Sequence, residues 1–359
     1  VESPDAVVTA PGAAPVDVFD DSLVQNATVR VGTRPGEPLP VGVGVGAGWM
    51  QEDVSNLDQR IRDAYVRGDV TVPVTQSLAL VGGVGYEDVQ ISARDAVLDS
   101  NGVPVVGPDG RLVTDKSQPR RIAYETDGLI WDVGVMWRPS SRTVLQAAVG
   151  RGYDSDTYYG SFSYAPTSRS SFNVNVYDAV SGFGNQLTTA LANLPSEFTA
   201  SRNALTGDLN GCVDSLEGNN CLTGALGSVR AAAFRSRGVA MSYSMQLGRM
   251  SAGIGAGYDR RKFIAAQGTV LAPANGVTDE SYYLAAYLSG DIGQSGSFTT
   301  NAYANWLSSG FANAGDVFAT GGSAAYSRRI YSGLSARAAV ALDHLNSELA
   351  SEDLTAASA

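Results

Sequence analysis

One histidine, two cysteines and a run of alternating glycines are the residues whose types and spacing first suggest chemistry. His344 is the single histidine, near the end of a candidate strand. A Ser-His-Asp hydrolase would present its nucleophile in a sharp strand-to-helix turn, and the chain holds no G-x-S-x-G. His344 therefore reads as structural. Cys212 and Cys221 fall within GCVDSLEGNNC. A structural metal site asks for about four ligands, and no histidine is near. The pair instead predicts a local disulfide holding a long loop compact in an oxidising compartment. Val41 to Gly48 reads VGVGVGAG, but a phosphate-binding loop needs a strand before it and a helix N-terminus after it. These glycines alternate with valine and run into Trp49. On one face of a strand they leave room for another segment, such as the N-terminal lead-in, to lie close. No catalytic residue, metal ligand or cofactor is expected, and the chain reads as non-enzymatic.

A larger polar set repeats at every second position. Tyr65, Arg67, Asp69, Asp132, Arg151, Tyr177, Tyr283, Tyr287, Asp291, Tyr303 and Arg337 are the candidates for lining a lumen. Tyrosines there either pack or stack on sugar rings, with Asp, Asn and Arg bonding to hydroxyls. Arg67, Arg151, Arg261 and Arg337 are expected to face Asp63, Asp69, Asp132, Asp259 and Asp291 across the lumen. Opposed charges of that kind make a transverse field that selects polar solutes. The same groups could equally be salt bridges that fill and close the interior.

The elements that must position these residues are strands. Residues 238–259, GVAMSYSMQLGRMSAGIGAGYD, alternate apolar and small or polar side chains on both sides of Leu-Gly-Arg, the pattern of two strands and a tight turn. Charged residues make up 17% of the chain, below the roughly 25% of soluble domains, alongside 41 Gly and 16 Tyr. No apolar run approaches the ~20 residues of a transmembrane helix. A net charge of −11 argues against a nucleic-acid partner. Candidate strands are 41–50, 60–74, 78–92, 122–138, 142–154, 157–165, 170–180, 235–248, 250–263, 281–293, 296–309, 317–331 and 333–346, with a weak last one at 352–359. That makes about fourteen, within a range of about 12–16.

The connections alternate in length. Short turns lie at 75–77, 139–141, 166–168, 247–249, 293–295 and around Ser332; longer or more polar links lie at 51–59, 93–121, 181–234, 264–280 and 310–316, with a brief one at 154–157. A Greek-key sandwich has no reason to sort its loops this way, whereas outer-membrane barrels have short periplasmic turns and longer outer loops. One face carries Val66, Val70, Leu129, Val133, Val149, Val174, Met245, Leu284, Leu288 and Val340. It is bounded by aromatics such as Trp131 and Trp137, Tyr158 and Tyr164, or Phe298 and Trp306, which suit girdles at two membrane interfaces. The expected fold is an all-β transmembrane antiparallel up-and-down barrel over 41–359, apolar side outward, with both termini periplasmic. Residues 1–40 are expected to be a flexible lead-in, partly inside the barrel.

The segment 142–183 resembles the outer-membrane β-barrel porins associated with PEP-CTERM/exosortase and exopolysaccharide gene clusters. The matching residues are Arg142-Thr143, Gly150-Arg151-Gly152-Tyr153, Tyr159-Gly160-Ser161 and Ser168-Arg169. The resemblance implies a Gram-negative outer-membrane location and a porin class, and carries no catalytic residue. It implies passage of polar solutes, or export of a surface polysaccharide through a larger envelope assembly with periplasmic or envelope partners. The competing expectation is a plugged barrel that anchors a partner complex and transports nothing. Residues 1–21 have neither the basic nor the apolar region of a signal peptide, so the numbering is expected to start inside a precursor. The chain ends LTAASA rather than on a terminal aromatic, so its closing strand is expected to be cut short or unusual.

Overall fold

The computed structural model describes residues 22–36, 39–107, 112–182, 233–311, 315–331, 333–347 and 354–358, with the backbone of 199–202, 209–215 and 218–221. Fifteen strands make one antiparallel sheet in chain order. They are β1 (Ser22–Gly32), β2 (Gly42–Val54), β3 (Gln59–Pro73), β4 (Leu78–Ala93), β5 (Arg121–Ser140), β6 (Thr143–Gly152), β7 (Ser155–Thr167), β8 (Ser170–Ser181), β12 (Ala233–Leu247), β13 (Met250–Ile264), β14 (Thr278–Ile292), β15 (Gly296–Ser309), β16 (Val317–Tyr331), β17 (Leu334–Ser347) and β18 (Leu354–Ser358). Between β8 and β12, a second sheet holds β9 (Thr199–Arg202), β10 (Leu209–Ser215) and β11 (Gly218–Cys221).

Strands joined by short turns pair with their chain neighbours because such turns leave no other partner in reach. At the β12–β13 turn Leu247 pairs with Met250, and Gly248 takes the positive φ of +65° that a two-residue turn demands. The sheet rolls until distant parts meet at the loop end. Glu52 on β2 accepts the amide of Gly182, just beyond β8, at 2.9 Å. Ile61 and Ile91 from β3 and β4 pack there with Val180 and Ala233 from β8 and β12. The molecule is an up-and-down β-barrel, with β1 and β18 outermost in the pairing order.

Residues directly opposite in an antiparallel pair share a face, so the register tests the face assignment. Val133 pairs with Gly82 and Val149, and Ile254 with Tyr243 and Ala286. These rows are apolar and open: Val133 is 52% exposed, Ile254 58% and Val340 56%. Near the loop end, Tyr258, Tyr282, Trp306 and Phe318 stand side by side on β13 to β16. Their rings are 4.9 Å apart for Tyr258–Tyr282 and 5.0 Å for Trp306–Phe318. Near the turn end, Tyr164, Phe172 and Tyr243 form a second row, and Phe298 pairs with Tyr326. From Phe298 to Trp306 the path is ~26 Å at about 3.3 Å per residue. Tilted by about 40°, it gives an apolar band ~20 Å high, close to that of membrane barrels.

Two expectations need correction. The lead-in is wall from Ser22 onward, since β1 pairs along its whole length with β2, from Ser22 opposite Val54 to Gly32 opposite Gly44. The sheet has fifteen strands, within the expected range of about 12–16. The chain also enters β1 at the loop end, where Val54 lies, and not from the turn side. The alternation in LVQNATVRV was masked by Gln25 and by the Pro-rich flanks. Cys212 and Cys221 sit opposite each other in the backbone register of β10 and β11, while their side chains, and so the expected disulfide, lie outside the described residues.

Candidate functional site in the barrel lumen

Ten of the eleven candidate lining residues share the inner face. Gly85, Gly83 and Gly44 pair with Arg67 or Asp69, Asp132 pairs with Gly83 and Gly150, and Tyr283 and Tyr287 pair with Gly257 and Gly253. Tyr177, Tyr303, Asp291 and Arg337 follow the same parity. Arg151 is the exception. It pairs with Trp131, which puts it on the outward face, and its guanidinium reaches Asp154 at 2.6 Å in the adjoining turn. Its strand alternates one residue out of phase with the Arg-Gly-Tyr reading.

The inner side chains lie along the wall, and glycines make this possible. Arg67 on β3 crosses β4 at Gly83 and grips Asp132 on β5 with two contacts, 2.8 and 2.5 Å. Any Cβ on Gly83 would overlap that guanidinium. Tyr177 on β8 crosses Gly238 on β12 and donates its hydroxyl to Asp259 on β13 at 2.8 Å. Tyr303 on β15 crosses Gly321 on β16 and donates to Asp343 on β17 at 2.8 Å. On the first three strands Arg30 bonds to Asp69 at 2.6 Å, and a Cβ on Gly44 between them would sit 3.1 Å from the Asp69 carboxylate. Three times, then, a long side chain lies flat over a glycine and ends on an aspartate two strands away, and at Gly44 the aspartate itself covers the glycine.

This geometry corrects the transverse field. The opposed charges meet along the wall rather than across the lumen, with Arg261 bonded to Asp259 on its own strand at 2.8 Å. Asp63 accepts from Tyr153 at 3.4 Å, and no ion pair involves Asp291 or Arg337 among the described residues. The glycines of 41–48 do leave room, as expected, but lumen side chains fill it: Tyr65 lies over Gly48 and Asp69 over Gly44. Because the pairs are folded flat, a cavity of about 810 Å³ remains. It is lined by Arg30, Asp63, Tyr65, Arg67, Asp69, Asp132, Gln146 and Tyr159. Arg30 and Tyr159 were missed; the first lies on the strand hidden in the lead-in, and the second follows Tyr158, so its parity was ambiguous.

Buried side chains pack at the loop end. One apolar cluster joins Ile61, Ile91, Val180 and Ala233, and another joins Phe234, Phe263, Ala265, Ala274 and Phe311. Tyr153, in the β6–β7 turn at φ 53°, is held there by its amide on Glu87 and by Arg235 over its ring at 5.3 Å. Burial, with the Asp63 and Glu87 carboxylates near, pushes its phenol well above the usual tyrosine range. Above the clusters the loop 94–120 meets the loop 265–277 from the other side. Asp95 accepts the amide of Val270 at 2.9 Å, and Arg121 donates to the Gly268 carbonyl at 3.0 Å. His344 faces outward beside Leu342 and bonds to Thr355 at 2.9 Å.

No protein-family model matches the chain, and no curated protein matches it in sequence. Solved structures that align with the chain include OmpT, an outer membrane protein of Vibrio cholerae in its trimer form, at 7% identity and TM-score 0.31 over 93% of this chain and 94% of that one. The copper transporter OprC aligns at 8% identity and TM-score 0.38, over 93% of this chain and 58% of its own. A Pseudomonas aeruginosa FadL homologue aligns at 12% identity and TM-score 0.27, over 89% and 70%.

Proposed function

We propose that the chain is an outer-membrane β-barrel of a Gram-negative bacterium that passes polar solutes through its lumen without chemistry. The observation that carries this is the pairing of an outward apolar band, bounded by two aromatic rows, with an inner face whose charges are folded flat over glycines. Lipid meets the first, and water with its solutes meets the second. The polar lining of Tyr, Asp and Arg suits hydroxylated solutes, including segments of a surface polysaccharide exported as part of a larger envelope assembly.

A second reading is favoured by the packing at the loop end. Two apolar clusters and the Asp95–Val270 and Arg121–Gly268 contacts fit a plugged barrel that anchors an envelope partner. Single-channel recording in planar bilayers separates the two. A channel gives steady open steps, and the double variant D95A/R121A, which releases both loop contacts, opens more often than the parent. A barrel silent in both forms sinks the transport reading and leaves the anchor.

A further inference from the structure

The six arginines Arg138, Arg142, Arg169, Arg249, Arg328 and Arg329 lie in or beside the short turns, and all are exposed. Asp291 is the one carboxylate that the described residues place within three positions of those turns. The chain as a whole is acidic, at −11. Its carboxylates gather instead at the loop end, as Asp53, Asp88, Glu125, Asp127, Asp156 and Glu280. The turn end is thus a cationic collar on an anionic protein.

Depth says what the collar meets. Arg138 follows Trp137, Arg169 lies between Tyr164 and Phe172, and Arg328 stands two positions beyond Tyr326 on the same outward face. Aromatic girdles mark the headgroup level, and one to three residues cover only ~3–10 Å. Arg142 and Arg249 spend a donor on the neighbouring turns, on Pro166 at 3.3 Å and Gly293 at 2.9 Å. Arg138, Arg169, Arg328 and Arg329 make no side-chain hydrogen bond or ion pair among the described residues. Guanidinium groups match phosphate oxygens in a two-pronged fork.

We propose that this collar binds the phosphates of acidic phospholipids in the leaflet that surrounds the turn end. It rests on the membrane reading above and adds a lipid preference and an orientation to it. Anionic headgroups would concentrate there and hold the turns at the interface, while the acidic loop end stays out of an anionic surface.

The test refolds the full chain into phosphatidylcholine vesicles with and without phosphatidylglycerol. Folding is read by heat-modifiable mobility, and retained lipid by native mass spectrometry. The parent is expected to retain phosphatidylglycerol over phosphatidylcholine by at least about fivefold, less at high salt. The variant R138Q/R169Q/R328Q/R329Q keeps every turn contact, folds, and approaches parity. The loop-end variant R60Q/R62Q keeps the preference. Equal enrichment in parent and collar variant overturns the proposal, as does a preference that millimolar inorganic phosphate removes, which would assign the collar to a free anion. Failure to fold into either vesicle would instead refute the membrane reading.

Discussion

At the scale of single residues, the glycines of the inner face have the clearest energetic role. Asp132 has 7% of its side chain exposed, and Arg67 26%. Such a pair is strongly destabilising to break from one side, by about 3–5 kcal/mol, because one charge is left without its partner. Gly83→Leu is expected to push Arg67 off Asp132 and lower the urea midpoint as far as Arg67→Ala does. The double variant should cost little more than either alone, since both remove the same contact. An unchanged midpoint for Gly83→Leu would refute the seat. None of this was legible beforehand. Alternation told which face Arg67, Tyr177 and Tyr303 occupy, but not that each partner sits two strands away, because that depends on register. Arg151 shows the reverse error: its neighbours resembled a motif, and the phase of its strand set it outside.

Among elements, the loop between β4 and β5 is held by carboxylates that grip backbone amides. Asp99 accepts from Asn101 and Val103 at 2.8 and 2.9 Å, and Asp115 from Ser117 at 2.9 Å. For Asp99 the Val103 amide, and for Asp115 the Ser117 hydroxyl, leads in holding the carboxyl below its ordinary 3.8. A depressed carboxylate stabilises the folded loop above that ordinary value, and the contribution is lost as pH falls through the lower folded one. Hydrogen exchange at Asn101, Val103 and Ser117 should therefore be slow at neutral pH and accelerate below about pH 4. Uniform exchange rates across that range, after correction for intrinsic chemistry, would show that these turns are held otherwise. The hairpins themselves were readable from turn chemistry, Leu-Gly-Arg above all. β1 was not, because Gln25 interrupts its outward stripe of Leu23, Ala27, Val29 and Val31 and Pro-rich sequence flanks it.

For the whole molecule, the decisive quantity is which surface meets lipid. Ile254 and Leu288 lie in the outward band between the aromatic rows, and Asn175 faces the lumen. Ile254→Arg or Leu288→Arg is expected to cost about 2–4 kcal/mol of folding stability in vesicles, against near zero for Asn175→Arg. Equal penalties would invert the wall. This inside-out order was legible on most strands, since a period of two carries it, and failed at β1 and Arg151. The packing at the loop end was not, because Ile61, Val180 and Ala233 come from strands far apart in the chain and meet only when the sheet has rolled. The flat-lying side chains have one more consequence. Bore and charge are set by different residues here: a glycine fixes how far its cover leans from the wall, and the aspartate beyond fixes what that cover carries. Widening or narrowing the passage is thus a matter of one small residue at a time, and an aperture of chosen size could be cut into this scaffold while its electrostatic lining stays as it is.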